Sequence, residues 1–396
     1  MPRSGWAAAV ASGRPRPRRD PGEHARTPRR WRGERGLVVK TYVFPGQGSQ
    51  KKTMGGGLFD EFDSLTQEAD AILGYSIKEL CLEDPDNRLN RTEFTQPALY
   101  VVNALSYYKK LQESERPDFL AGHSLGEFNA LLAAECFSFG TGLRLVRKRG
   151  ELMAQAQQGA MAAVLNASEQ EIRTILEENG LTSIDLANFN SASQIVISGP
   201  PEDIKAAKPL FESGKHLFAP LNTSGAFHSR YMEPARREFS RFLEGVTFSP
   251  PKVPVISNVT ARPYEDHRAK ELLAEQLTST VRWSDSVQHL LGMGEMVFEE
   301  LGHGNVLTKL INKIRRESPE PPRPGPVTVQ QPLSAQETVR LWNERHPVGT
   351  RVRSTIGEYQ DLETATPATV LFGHRAAVYM VGYRGYFDLT EIESGN

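Results

Sequence analysis

Phe119-Leu120-Ala121-Gly122-His123-Ser124-Leu125-Gly126 decides the reading of this chain, because it sets a serine between two glycines immediately after an apolar run. Only a very tight turn fits there. Phe119 to Ala121 can serve as a strand and Phe128 to Ala134 reads as a helix, so Ser124 sits at a strand-to-helix elbow with its hydroxyl exposed. The helix start offers unpaired N–H groups and the positive end of a dipole to an oxyanion formed at the serine. Taken alone, the pentapeptide is equally compatible with an ordinary turn. A nucleophilic serine also needs a base, and His228, within Gly225-Ala226-Phe227-His228-Ser229, is the strongest of the nine histidines.

Around the elbow the pattern is that of an α/β domain. From Lys40 to about Gly159, short apolar runs alternate with segments of helical spacing, notably Leu58 to Leu73, Ala98 to Leu111 and Ser138 to Ala156, which predicts a mainly parallel sheet. The texture then changes to β-α-β-β-α-β between about 160 and 222, the ferredoxin-like order, read as a small insert. Afterwards the chain returns to the large domain, with strand-like Val253 to Ser257, helix-like Ala269 to Gln276 and Ser284 to Gly292, and strand-like Met296 to Leu301. Six prolines between Pro319 and Pro332 mark 317–334 as a stiff, extended linker. Residues 335–396, rich in glycine and in β-type runs such as Ala368 to Phe372 and Ala376 to Val381, read as a small β-barrel-like domain of unknown role.

The bulk numbers exclude several functions. With 396 residues there is room for two or three domains and a sizeable core. No apolar window approaches the roughly 18 residues a membrane span requires, and a net charge of −1 argues against nucleic acid as the partner. The two cysteines, Cys81 and Cys136, are too few for a disulfide framework and match no metal spacing, so no metal and a reducing, cytoplasmic setting are expected. Residues 1–36 carry ten arginines with little apolar patterning. Such a segment cannot pack a core, and its prolines spoil an amphipathic targeting helix; the expectation is a disordered extension, with the functional chain beginning near Val38 or Val39.

Five ordered segments, Phe44-Pro45-Gly46-Gln47-Gly48-Ser49-Gln50, Thr95-Gln96-Pro97-Ala98-Leu99, the Ser124 elbow, Arg149-Gly150-Glu151-Leu152-Met153 and the His228 stretch, together resemble the malonyl-CoA:acyl carrier protein acyltransferase family from about Thr41 to about Arg316. That family includes stand-alone enzymes of fatty-acid synthesis and acyltransferases acting in trans on polyketide synthases. The resemblance implies an α/β-hydrolase-like large domain within 37–316 and no bound cofactor. Malonyl-CoA would be the substrate, and the partner an acyl carrier protein, in the setting of fatty-acid synthesis or a polyketide-synthase assembly line. It implies ping-pong transfer through an acyl-Ser124 with His228 as base, and an oxyanion hole from the backbone N–H groups of Leu125 and Gln47.

The resemblance further implies that Arg149 grips the free carboxylate of the malonyl group in fork geometry, that the bulk of Phe227 disfavours methylmalonyl-CoA, and that the backbone carbonyl of Gln276 orients His228. A main-chain role would make the Gln276 side chain dispensable. Gln96 and Asn188 match positions lining the cleft, although polar turn positions read the same way, and Phe227 also reads as an ordinary core ring. Carrier proteins are usually acidic, which directs attention to Lys309, Lys313, Arg315 and Arg316 as a docking surface. Three competing functions remain at this level: an acyl hydrolase clearing stalled acyl groups from carrier proteins, a lipase-like hydrolase, and a non-catalytic docking subunit.

Overall fold

The computed structural model describes residues 39–156, 159–212, 214–265, 267–318, 335–354, 361–371, 375–383, 386–389 and 392–394. The expected N-terminal extension and residues 319–334 of the expected linker lie outside them. The chain divides into two compact units, Met1–Ser318 and Pro319–Asn396.

The first unit is mixed α/β around a four-stranded, all-parallel sheet in the spatial order Val255–Ile256, Phe119–Gly122, Val39–Phe44, Met296–Glu300. Side chains alternate across a strand, and here both faces are buried. Tyr42 and Phe44 join the large core with Leu99, Phe128 and Leu143, whereas Val39 and Val43 pack with Trp283, Leu310 and Ile311 on the opposite side. A parallel sheet covered on both faces in this way leaves its strand ends as the natural place for chemistry. The two chain segments that carry glycine-rich turns, after Phe44 and after Gly122, leave neighbouring strands at the same end.

Residues 160–220 form a separate four-stranded antiparallel sheet, ordered Asp185–Ser191, Gln194–Gly199, Ala160–Leu165, Leu217–Pro220. Helices Glu169–Glu178 and Pro201–Phe211 supply Ile172, Leu176, Ile204 and Phe211 to its own core. Ser168 and Glu171 close the first of these helices with a reciprocal capping box. The insert is held against the large domain by backbone bonds from Phe189 N–H to the Val281 carbonyl and from Val281 N–H to the Ala187 carbonyl, each 2.9 Å. At the hairpin tip, the Ser193 hydroxyl donates to Glu317, at the end of helix Val306–Glu317, over 2.5 Å. These ties set the width of the cleft between the insert and the parallel sheet.

Several expected elements differ in detail. The stretch 58–73 is two helices, Leu58–Glu61 and Asp63–Leu73, because Phe62 leaves helical geometry at φ −113°, ψ 47°. The expected strand 253–257 shrinks to Val255–Ile256, since Pro254 has no N–H for the ladder and Ser257 N–H turns to the Arg262 carbonyl. The first described element of the second unit is a helix, Ala335–Arg345, where the sequence pattern predicts only β structure; Val339 and Trp342 pack it on a core that includes Val352, Leu362, Val378 and Ile392. Its strands form two three-stranded antiparallel sheets, linked by the bridge Thr364–Met380. No helix among the described residues is long and apolar enough to cross a membrane.

The elbow depends on close backbone packing. A Cβ at Gly126 would stand 2.0 Å from the Phe44 carbonyl oxygen, and one at Gly122 would stand 2.0 Å from the Gly126 carbonyl. Neither neighbour is a side chain that could swing away. Gly126→Ala is therefore expected to destabilise the protein by about 3 kcal/mol or more, read as a lowered urea midpoint, whereas Gly180→Ala, at an open position with φ +70°, should cost only about 1 kcal/mol.

Candidate active site

Ser124 and His228 meet at 2.8 Å, Oγ to Nε2, although 104 positions separate them. Both occupy the left-handed region, with φ of 50° and 56°, a costly conformation for residues with a Cβ that the surrounding structure must hold. At the elbow, Asn258 supplies that restraint. Its Oδ1 accepts from Ser124 N–H at 2.7 Å while its Nδ2 donates to the Gly122 carbonyl at 2.7 Å. His228 Nδ1 lies 2.8 Å from the Gln276 backbone carbonyl. A carbonyl only accepts, so Nδ1 carries the proton and Nε2 presents its lone pair to the serine hydroxyl.

Burial, followed by the nearby Arg149 charge, lowers the His228 pKa to about 3. The imidazole is therefore neutral, and competent as a base, over the whole ordinary pH range. His123 is also pushed below its usual value by burial, but its Nε2 is engaged by Asn190 Oδ1 at 2.8 Å and its ring packs by Trp283.

Arg149 arrives from the long helix Phe139–Gln155 and is almost fully buried. Its Nη1 donates to Gln96 Oε1 at 2.8 Å, and its Nη2 donates both to Ser124 Oγ at 3.1 Å and to Gln276 Oε1 at 2.7 Å. The Phe128 ring lies 5.6 Å from its guanidinium carbon. Four residues picked out by sequence, Ser124, Arg149, Gln96 and Gln276, thus share one hydrogen-bonded cluster with His228. Beyond its backbone carbonyl, Gln276 is engaged through its side chain, which accepts from Arg149 and donates to the Ser124 carbonyl at 3.0 Å and to Glu127.

The Phe44–Gln50 turn lies against the elbow. A Cβ on Gly46 would meet the His123 carbonyl oxygen at 2.3 Å and the Leu125 nitrogen at 3.6 Å, so the backbones of Gln47 and Leu125 are brought into one neighbourhood. The Gln47 side chain donates to Thr92 Oγ1 over 3.3 Å. Phe227 is buried in the large core beside His228. Asn188 is buried on strand Asp185–Ser191, where it pairs with Val281; the side chain that reaches the elbow from this strand is that of Asn190. An open cavity runs from His228 outward past Leu186, Arg230 and Arg282, between the insert and the large domain.

Sequence reasoning passed over Asn258, Glu127 and Tyr264. Asn258 and Tyr264 follow a two-residue strand with no motif around them, and their partners lie more than 130 positions away. Glu127 looks like a routine acidic residue in a helix's first turn, and only its burial reveals otherwise. Among the basic residues near the end of helix Val306–Glu317, Arg315 donates to the Met296 carbonyl at 2.6 Å and Lys313 approaches Glu317 at 3.7 Å.

Residues 41–346 match the family described as acyl transferase domain. The chain is 57% identical over 286 residues to the polyketide biosynthesis malonyl CoA-acyl carrier protein transacylase PksC of Bacillus subtilis (strain 168), which covers 72% of this chain and 99% of that protein. Among solved structures, the malonyl CoA-acyl carrier protein transacylase from Burkholderia pseudomallei shares 56% identity with a TM-score of 0.71, covering 72% of this chain and all of that one. A malonyl-transacylase solved with its type II polyketide-synthase acyl-carrier protein, PlMCAT:AntF, shares 32% identity with a TM-score of 0.67 over 70% of this chain and 94% of that one.

The position of Arg149 carries a pH consequence. A histidine lowered to about 3 gains its proton only far into acid, so the acid limb of kcat/KM should lie well below pH 6.5. Because the arginine's charge is one cause of the depression, Arg149→Ala should move that limb to higher pH, measured with acetyl-CoA in a series taken from neutral pH down through the wild-type limb itself. A limb that stays in place would exclude the coupling.

Proposed function

The chain belongs to the acyl transferase domain family, and from that premise we propose that it transfers a malonyl group from malonyl-CoA to the phosphopantetheine thiol of an acyl carrier protein, by way of an acyl-Ser124 intermediate. The observation that carries this reading is a buried guanidinium, Arg149, 3.1 Å from the serine oxygen. A diacid ester on Ser124 would place its free carboxylate within reach of that cation.

In the first half-reaction, Ser124 Oγ attacks the thioester carbonyl carbon while His228 Nε2 takes the hydroxyl proton, and the C–S bond breaks as His228 returns the proton to the CoA sulfur. The second half runs backwards with the carrier's thiol as nucleophile, its proton passing to His228 and then to Ser124 Oγ. The N–H groups of Leu125 and Gln47 would receive the oxyanion in both tetrahedral intermediates. The Gln276 carbonyl fixes the tautomer that makes this possible, since a proton held at Nδ1 leaves Nε2 free to accept. Arg149 would exchange its present contact with Ser124 Oγ for the malonyl carboxylate, with Gln96 and Gln276 as its remaining supports.

Phe227, next to the base, would disfavour the extra methyl of methylmalonyl-CoA, and Asn188 would line the acyl cleft. Rejecting one methyl supplies about 1–3 kcal/mol, so selection is partial. Hydrolytic release of stalled acyl groups is the weaker reading, because a cation devoted to a carboxylate has no purpose for a simple acyl chain, and PksC is named a transacylase. The similarity to PksC favours a polyketide assembly line over general fatty-acid synthesis as the setting, and a cytoplasmic location fits substrates of this kind. The carrier is expected to approach the mouth of the cleft by His228.

For the architecture we propose an acyltransferase domain that ends at Ser318, two residues beyond the expected 37–316 because the helix Val306–Glu317 runs through Glu317, with a ferredoxin-like insert at about 160–222 and a C-terminal domain over 335–396. The spatial order of the insert's four strands, with the first and third central and antiparallel, supports the name given to it. The two small sheets of the tail support a compact, β-rich module, here given a barrel-like reading.

Labelling with radioactive malonyl-CoA tests the chemistry. Wild-type protein should trap label on the peptide containing Ser124, and Ser124→Ala should lose both label and transfer, by about a thousandfold or more. Arg149→Ala should lower kcat/KM for malonyl-CoA by roughly a hundredfold, the cost of leaving a buried carboxylate unpaired at about 3 kcal/mol, while acetyl-CoA is affected far less. Undiminished transfer by Ser124→Ala defeats the proposal.

A further inference from the structure

Glu127 lies one turn past the nucleophile on helix Gly126–Ala133 and is completely buried. Its Oε1 accepts from the Tyr264 hydroxyl at 2.5 Å and from Asn258 N–H at 3.0 Å, and its Oε2 accepts from the Gln276 side-chain amide. All three partners donate to it, which suits the ionised carboxylate.

The Gln276 amide cannot be turned the other way. Arg149 Nη2 donates to its Oε1 at 2.7 Å, and a guanidinium has no lone pair to offer an NH2 group. The amide nitrogen must therefore face Glu127 and the Ser124 carbonyl. Bonds thus run in one sense from Arg149 through Gln276 to Glu127, a buried cation and a buried anion joined by a neutral amide. The hydrogen-bond partners of Arg149 itself, Gln96, Gln276 and Ser124, are uncharged, so Glu127 is the countercharge that burial of a guanidinium requires.

The groups facing Glu127 are Tyr264, the more distant Arg149, and the neutral Asn258 and Gln276. Burial raises its carboxyl to about 7, while those three hydrogen bonds and the Arg149 charge act in the opposite direction.

We propose that Glu127 is a positioning residue for substrate selection, orienting Arg149 through the side chain of Gln276 so that the guanidinium fork faces the acyl group on Ser124. The inference rests on the reading of Arg149 as the ligand of the malonyl carboxylate. Glu127→Gln keeps the volume but removes the charge. It also sets an NH2 group against one of the donors that now converge on the carboxylate, so the relay loses its orientation. A contribution to folding alone would lower turnover of every acyl-CoA alike. A contribution through Arg149 falls on the substrate with a free carboxylate.

The test is the ratio of kcat/KM for malonyl-CoA to kcat/KM for acetyl-CoA, read as acyl-enzyme formation. Glu127→Gln is expected to lower this ratio at least fivefold; a smaller fall, no change or a rise overturns the proposal. If that protein does not fold, Tyr264→Phe, which removes one donor from Glu127, is expected to lower the ratio at least twofold, and a lesser effect overturns it equally. Arg149→Ala separates the two levels of argument. Should it keep the wild-type ratio, the reading of Arg149 itself fails; should it lose the ratio while Glu127→Gln retains it, only the relay fails.

Discussion

A guanidinium taken out of water beside a serine hydroxyl is the constraint around which the site is arranged. Burying such a cation costs several kcal/mol unless its donors are matched and its charge is answered nearby. Arg149 meets both conditions with side chains from distant parts of the chain: Gln96 from the helix Thr92–Glu113, Gln276 from the end of the helix Ala269–Glu275, and Ser124 from the elbow. Because these side chains already engage it, the cation is held still. A carboxylate entering the pocket would exchange one set of hydrogen bonds for another without first having to order a long side chain.

The same buried charge acts on the base. Desolvation and the Arg149 field both disfavour a second cation, and His228 is neutral for that reason. Its tautomer is then settled by a main-chain carbonyl, with no carboxylate hydrogen-bonded to the ring among the described residues. A carboxylate partner would raise the imidazole pKa and attract the proton it is meant to shuttle. Glu127, the buried acid in this network, is instead turned toward Tyr264, Asn258 and Gln276. Cation and anion thus lie on opposite sides of one glutamine amide, with the serine and its base outside that line.

Backbone strain completes the arrangement. Ser124 and His228 both hold positive φ, and the elbow that carries Ser124 is pinned by its neighbours: Asn258, just past the strand Val255–Ile256, grips it on one side, and the Phe44 turn closes on it from the other. Gly122 and Gly126 are required because backbone passes where their Cβ atoms would stand. The insert contributes less to the chemistry than to its enclosure, fixed to the large domain through Val281 and through Glu317.

What the sequence determined by itself is local. Glycines at 122 and 126, with a strand before and a helix after, are enough to specify an elbow, since hydrophobic period and turn chemistry act over a few residues. Alternating β and α segments likewise specify a parallel sheet, and the change of texture near residue 160 marks the insert. The helix Ala335–Arg345 does set Ala335, Val339 and Trp342 at i, i+4 and i+7, a helical period of only two turns that the glycines and β-type runs of the rest of 335–396 outweigh. Tertiary structure alone decided which side chains answer the charges. Asn258, Tyr264 and the side chain of Gln276 come to the elbow from more than 130 residues away, and no spacing along the chain encodes a contact that exists only after the sheet has formed and water has been excluded.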